Sequence, residues 1–136
     1  MAPRRPRAAG AIPKPVERAA SHPAEPGELY AALDLGTNSC RMLIARPQGD
    51  QFEVVDSFSK AVQLGQGLEA SGRLSRSSMA RTVQALQICR RKIETHGVKR
   101  MRLVATEACR RAGNARDFIR YVRRETGLPL EIIPPE

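Results

Sequence analysis

The sequence predicts an α/β fold in which helices cover a mixed sheet. Two observations carry this. Short alternating apolar runs come first, at residues 29–35, 40–45 and 52–58, and strand-like runs then alternate with segments of helical spacing up to residue 133. The order is strand, strand, strand, helix, strand, helix, strand. Alternation of this kind puts helices over a sheet that has parallel members.

Residues 1–28 stand apart from the rest. They hold six of the ten prolines and almost no large aliphatic side chains, so they cannot bury enough apolar surface to offset the entropy of ordering. A disordered Pro- and Arg-rich tail is expected over residues 1–28, with the folded body in residues 29–136. The first strand, Leu29 to Leu35, stops at Gly36, and Cys40 to Ala45 forms a second in which Cys40, Met42 and Ile44 alternate with Arg41 and Leu43. The turn formers Gly36-Thr37-Asn38-Ser39 connect the two as a hairpin. After a turn at Gln48-Gly49-Asp50, residues 52–58 supply a third strand with Phe52 and Val54 on one face, which completes a meander.

Residues 64–72 read as a loop. Ser75 then offers a hydroxyl cap to a long helix that ends near Gly97. Met79, Val83, Leu86 and Ile93 recur at helical spacing, with Ile88 and Cys89 widening the stripe. Arg76, Arg81, Arg90, Arg91 and Lys92 lie mostly off it and read as a solvated face. Residues 101–106 form the next strand, and Glu107 to Gly113 a polar loop. Asn114 and Asp117 resemble a capping pair for a second helix that carries Ala115, Phe118, Ile119 and Val122 inward and closes at Gly127. Leu130 to Ile133 is a last short strand before Pro134-Pro135. Its edge and face have nothing after them to cover them, so the domain is expected to be incomplete in these residues.

Charge narrows the class of partner. The net charge is +9, and residues 1–28 contribute five Arg/Lys against three Glu, so most of it belongs to the body. A basic body calls for an anion: nucleic acid, an anionic membrane, a nucleotide or a phosphate polymer. With two Tyr, three Phe and no Trp, stacking platforms for single-stranded nucleic acid are scarce, and no specific nucleic-acid partner is expected. Cys40, Cys89 and Cys109 are odd in number and widely spaced, which fits neither a disulfide framework nor a zinc site but reduced thiols in the cytoplasm. Residues 8–20 are too interrupted by Gly, Pro and charge for a secretory core, and no run is long enough to span a membrane.

The sharpest feature is Asp34-Leu35-Gly36-Thr37-Asn38-Ser39-Cys40-Arg41. A strand delivers a carboxylate, a glycine and hydroxyl residues into a tight turn, and a second strand leaves with an arginine. Gly36 can take positive φ and let backbone N–H groups approach an anion. Thr37 and Ser39 add hydroxyl donors, Asn38 an amide, and Arg41 a bidentate grip on phosphate oxygens. Asp34 cannot attract phosphate by charge. Its use would be to hold a hydrated divalent cation or to orient water beside the phosphate. The competing reading is an ordinary hairpin turn in which Asp34 and Asn38 satisfy local donors.

This stretch resembles the first phosphate loop of the exopolyphosphatase and guanosine pentaphosphate phosphatase family, which reads D-L-G-[ST]-N-S-x-R. The resemblance extends through Leu64-Gly65-Gln66-Gly67-Leu68, Leu74-Ser75, His96-Gly97-Val98, Val104-Ala105-Thr106-Glu107-Ala108-Cys109-Arg110, Asn114 to Phe118 and Glu125-Thr126-Gly127. It covers about Tyr30 to Ile133. Gln63 stands where the family commonly has arginine.

The resemblance implies a ribonuclease-H-like fold of the actin and sugar-kinase superfamily. It also implies a hydrolase that releases terminal phosphate from polyphosphate or guanosine pentaphosphate with magnesium, and a full-length protein for which a homodimer is the candidate assembly. Phosphate binding falls to Gly36, Thr37, Asn38, Ser39, Arg41 and Arg110, with Asp34 reaching the metal through water. Arg110 follows the carboxyl end of a strand, where open α/β sheets place their ligands, and would face the turn from a second side. The family's catalytic base and second phosphate loop correspond to positions beyond Glu136, so no catalytic role is placed on these residues. The alternative is a module that binds polyphosphate or guanosine polyphosphates without cleaving them. An actin-like ATPase fragment would share the D-x-G turn but leaves Val104 to Arg110 unexplained.

Overall fold

A computed structural model of the chain describes residues 27–134. Apart from residues 27 and 28, the expected tail lies outside the described residues. The elements are β1 (Tyr30–Leu35), β2 (Ser39–Gln48), β3 (Gln51–Ala61), α1 (Leu68–Ser71), α2 (Arg76–His96), β4 (Arg100–Ala105), α3 (Glu107–Arg111), α4 (Ala115–Thr126) and β5 (Glu131–Ile132). They form one five-stranded sheet in the order β3-β2-β1-β4-β5. The meander β3-β2-β1 is antiparallel, and β4 and β5 add in parallel.

Register explains the core. Leu33 lies opposite Met42 on β2 and Leu103 on β4, and Leu35 lies opposite Cys40 and Ala105. Because side chains alternate along a strand, all these residues fall on one face, and all are buried. Against that face α2 lies along β2 with α4 beside it. Leu86, Cys89 and Ile93 of α2 and Phe118 and Val122 of α4 join the same cluster. The opposite face carries Ala32, Asp34, Arg41 and Arg102, which are exposed.

Both ends of the long helix match the sequence. Ser75 Oγ accepts from Ser78 N at 3.1 Å, and Gly97 ends α2 with a φ of 66°.

Four expectations change. The loops expected over residues 64–72 and 107–113 each contain a short helix, α1 and α3. Four or five residues are too few to show a period, and it is burial of Leu68, Ala108 and Cys109 in the core that selects the helical turn. Asn114 does not cap α4. Its buried amide spans Leu74 instead, Oδ1 accepting from Leu74 N at 2.8 Å and Nδ2 donating to Leu74 O at 3.0 Å, while Asp117 pairs with Arg120 at 2.9 Å. The basic face of α2 is not uniformly solvated either. Arg90 is buried, bonding Glu94 and the Thr126 carbonyl, and Arg81 is taken up by backbone acceptors described below.

Candidate functional site

The turn between β1 and β2 is held from three directions. Within it, Gly36 N donates to Ser39 O at 3.0 Å. From β4, Thr106 N donates to Leu35 O at 3.0 Å, which fixes the turn at the carboxyl edge of the parallel pair. From the segment after β3, Val62 N and Gln63 N both donate to Asn38 O, at 2.8 and 2.9 Å, and Gly65 N donates to Thr37 O at 3.0 Å. The carbonyls of Thr37 and Asn38 are therefore drawn into this clasp. In a planar trans peptide the N–H points opposite to the C=O, so the amides of Asn38 and Ser39 are turned away from it. Among the described residues the N–H groups of Thr37 and Asn38 make no backbone hydrogen bond.

The clasp is itself tightly specified. Gln63 takes a φ of 50°, a left-handed conformation unusual for a non-glycine residue. Arg81 of α2 holds it there, donating from Nε to Val62 O at 2.6 Å and from Nη2 to Gln63 O and Gln66 Oε1, both at 3.2 Å. Gly65 packs so closely on the turn that a Cβ there would lie 2.4 Å from Thr37 Cγ2. Sequence reading missed these three residues. The G-x-G of residues 65–67 was the available signal, but only coordinates show which glycine is crowded.

Gly36 behaves differently from expectation. It does not take positive φ, and a Cβ added there would meet Ser39 O at 3.8 Å and Thr106 Oγ1 at 3.9 Å, ordinary contacts. Its contribution is a bare backbone at the turn and not a strained conformation.

On the open face Asp34 and Arg41 are directly opposite across the antiparallel pair. They line a groove of about 830 Å³ with Ser57, Ser59, Arg102, Thr106 and Ile133. Arg110 is elsewhere. Its Nη1 donates to Ile133 O at 3.0 Å, and it lines a neighbouring groove of about 740 Å³ at the start of α4. The structure thus brings Asp34, Arg41 and Thr106 into one groove, and places Arg110, bonded to Ile133 O, in the neighbouring one.

The cysteines lie off this surface, and all three thiols are buried. Cys40 and Cys89 contact one another between β2 and α2, and that contact, with burial, pushes the Cys89 thiol well above the ordinary thiol range. Burial alone raises Cys109 to about 12. Neither is suited to nucleophilic work at neutral pH. No group of three or more His, Cys, Asp or Glu side chains forms a metal cluster among the described residues.

Sheet order, parallel pairing and one-sided helices define a ribonuclease-H-like α/β domain of the actin and sugar-kinase superfamily, with the turn of residues 36–39 at the carboxyl edge of β1. A model of the Ppx/GppA phosphatase family matches residues 43–136, and the chain belongs to that family. The structure is similar to the Ppx/GppA phosphatase of Aquifex aeolicus, with a TM-score of 0.76 and 36% identity over 80% of this chain and 36% of that one. It is also similar to an exopolyphosphatase from Cytophaga hutchinsonii, with a TM-score of 0.74 and 25% identity over 78% of this chain and 34% of that one. The chain therefore spans about a third of the length of these solved structures, which are phosphatases. No helix among the described residues is long and apolar enough to cross a membrane.

Proposed function

We propose that this chain provides the first phosphate-binding half of an enzyme that hydrolyses phosphoanhydride bonds, releasing terminal phosphate from polyphosphate or guanosine pentaphosphate in the cytoplasm. The observation that carries the reading is the division of labour in the turn. Its carbonyls are occupied by the clasp from residues 62–65 and its Thr37 and Asn38 amides are left open, beside Arg41 on the exposed sheet face. Preorganised N–H donors with an adjacent guanidinium stabilise phosphoryl oxygens without having to reorganise during reaction.

In this reading Thr37 to Ser39 grip the phosphoryl group through backbone and hydroxyl donors, Gly36 keeps the turn bare enough for its approach, and Arg41 neutralises its charge. Arg110 reaches the ligand from across Ile133. Magnesium fits the donor set: the ion takes one or two carboxylates, substrate oxygens and water, and Asp34 is the carboxylate lining the groove. When bound, the ion would offset charge on the transferred group, with Asp34 holding it through water. Hydrolysis also needs a base within reach of the attacking water, and we assign none to the described residues.

Titrating polyphosphate into the chain tests the reading. Arg41→Ala is expected to weaken binding about 10- to 100-fold, the worth of a charge-assisted bidentate contact, while Arg18→Ala leaves it unchanged. Equal losses in the two variants would count against the turn. A phosphate-release assay on the same samples separates grip from catalysis: binding with no release is expected, and robust turnover would overturn the assignment of the base elsewhere.

A further inference from the structure

Arg81 of α2 does more than hold the clasp in shape. We propose that it is a positioning residue for the phosphate site: its positive charge acts through two successive peptide groups on the Ser39 N–H and strengthens a donor that the phosphoryl group meets. The inference rests on the phosphate-turn reading and adds to it a residue that does not line the groove.

Connectivity comes first. Arg81 Nε donates to Val62 O at 2.6 Å, and Gln63 N, at the other end of the same peptide group, donates to Asn38 O at 2.9 Å. Asn38 O in turn shares its peptide group with Ser39 N. No cis peptide bond occurs among the described residues, so in each group the N–H points opposite to the C=O. The two groups are therefore joined head to tail, from the guanidinium through residues 62–63 and 38–39 to the Ser39 N–H on the side away from the clasp. Hydrogen bonds joined in this way polarise one another. Asn38 O is drawn further by a second donor, Val62 N at 2.8 Å.

Charge comes second. Two arginines of α2 are drawn into the fold, and they differ. Arg90 is buried against the carboxylate of Glu94. Arg81 is half-buried, and every acceptor it meets is neutral: Val62 O, and Gln63 O, Gln66 Oε1 and Ser78 Oγ at 3.2 Å. Among the described residues no carboxylate lies within ion-pair distance of it. A half-buried cation without a counter-ion is weakly screened, and its field reaches neighbouring groups. A neutral donor would hold the same carbonyls in place. Only a cation also strengthens the N–H groups behind them.

The competing role, a brace and nothing more, differs at particular atoms. Val62 N and Gly65 N also belong to the clasp, bonding Asn38 O and Thr37 O, but neither shares a peptide group with a carbonyl that Arg81 contacts. A loosened clasp would disturb all of these amides. Loss of the charge alone would reach Gln63 N and Ser39 N. Donors that are already aimed at a phosphoryl oxygen gain most from such strengthening, because they need not reorganise to use it.

The test uses the whole chain, with tripolyphosphate as the probe. Arg81→Gln removes the charge but keeps a side-chain donor for Val62 O. It is expected to lower affinity about tenfold, the gap between a charge-assisted and a neutral hydrogen bond. Arg91→Gln, on the exposed side of α2, should leave affinity unchanged, and Arg81→Lys, which restores the charge, should recover most of the loss. In proton–nitrogen spectra recorded without the probe, the Gln63 and Ser39 amide protons should move upfield in Arg81→Gln while those of Val62 and Gly65 stay in place. Equal movement of all four, no movement of Ser39, equal affinity losses in Arg81→Gln and Arg91→Gln, or an Arg81→Lys no tighter than Arg81→Gln would each overturn the inference. The spectra need no ligand, so they judge Arg81 separately from the turn. If instead Arg41→Ala leaves tripolyphosphate bound as before, it is the phosphate-turn reading that fails.

Discussion

The two faces of the sheet are cut from the same strands and have opposite tasks. In β1, Ala31, Leu33 and Leu35 point into the helix-covered core, while Ala32 and Asp34 between them are exposed. In β2, Cys40, Met42 and Ile44 alternate with exposed Arg41 in the same way. A period of two therefore sorts the packed apolar residues onto one face and Asp34 and Arg41 onto the other. Adjacent residues should then give opposite phenotypes, and the open face can change without endangering the core.

The largest effect should come from the buried face. Leu33→Ala is expected to cost about 2–5 kcal/mol in a urea melt, the range for truncating a fully packed leucine, whereas Asp34→Asn, one residue on, should stay within about 0.5 kcal/mol. A comparable loss from both would mean that the faces are not independent.

Gly65→Ala comes next and probes how the core side supports the open side. The added Cβ would press on Thr37 Cγ2, and polyphosphate affinity should drop about tenfold as the turn loses positioned donors. Thr37→Ser removes the offending methyl and keeps the hydroxyl, so Gly65→Ala/Thr37→Ser should recover most of the loss. A double variant no better than Gly65→Ala would show that the clash is not the cause.

The smallest effect concerns the rim where the faces meet. Asp56 on β3 accepts from His96 at 3.0 Å and from Lys92 at 3.2 Å, tying the outer strand to the end of α2. His96 first, then Lys92 and the Ser57 N–H, hold its carboxyl below the ordinary value of 3.8. A carboxyl lowered in the fold contributes its stabilisation in full above the unfolded value and loses it as pH falls through the folded one. Asp56→Asn should accordingly flatten the decline in stability between about pH 5 and pH 2 while leaving polyphosphate binding at neutral pH intact. An unchanged acid profile would remove this clip from the account.

Much of the architecture was legible because its signals are local. Alternation in residues 29–58 and 101–106 gave the strands, and Ser75 and Gly97 bounded α2 almost to the residue. The turn of residues 36–39 stood out for the same reason: glycine, hydroxyls and an amide are contiguous in the chain. Arg81, Arg90 and Asn114 were misread because their partners lie far away in sequence, as with Asn114 and Leu74, forty positions apart. A polar residue on a helix reads as solvated until something distant arrives to bond it.

Side-chain alternation and the placement of turn residues are properties of neighbouring positions, so the order of residues alone was enough for the α/β class, the strand faces and the turn of residues 36–39. Which glycine is crowded, which arginine braces the clasp, and the pairing of Arg110 with Ile133 depend on contacts between residues 15 to 28 positions apart. Those contacts exist only once the segments have packed together, and no local pattern encodes them.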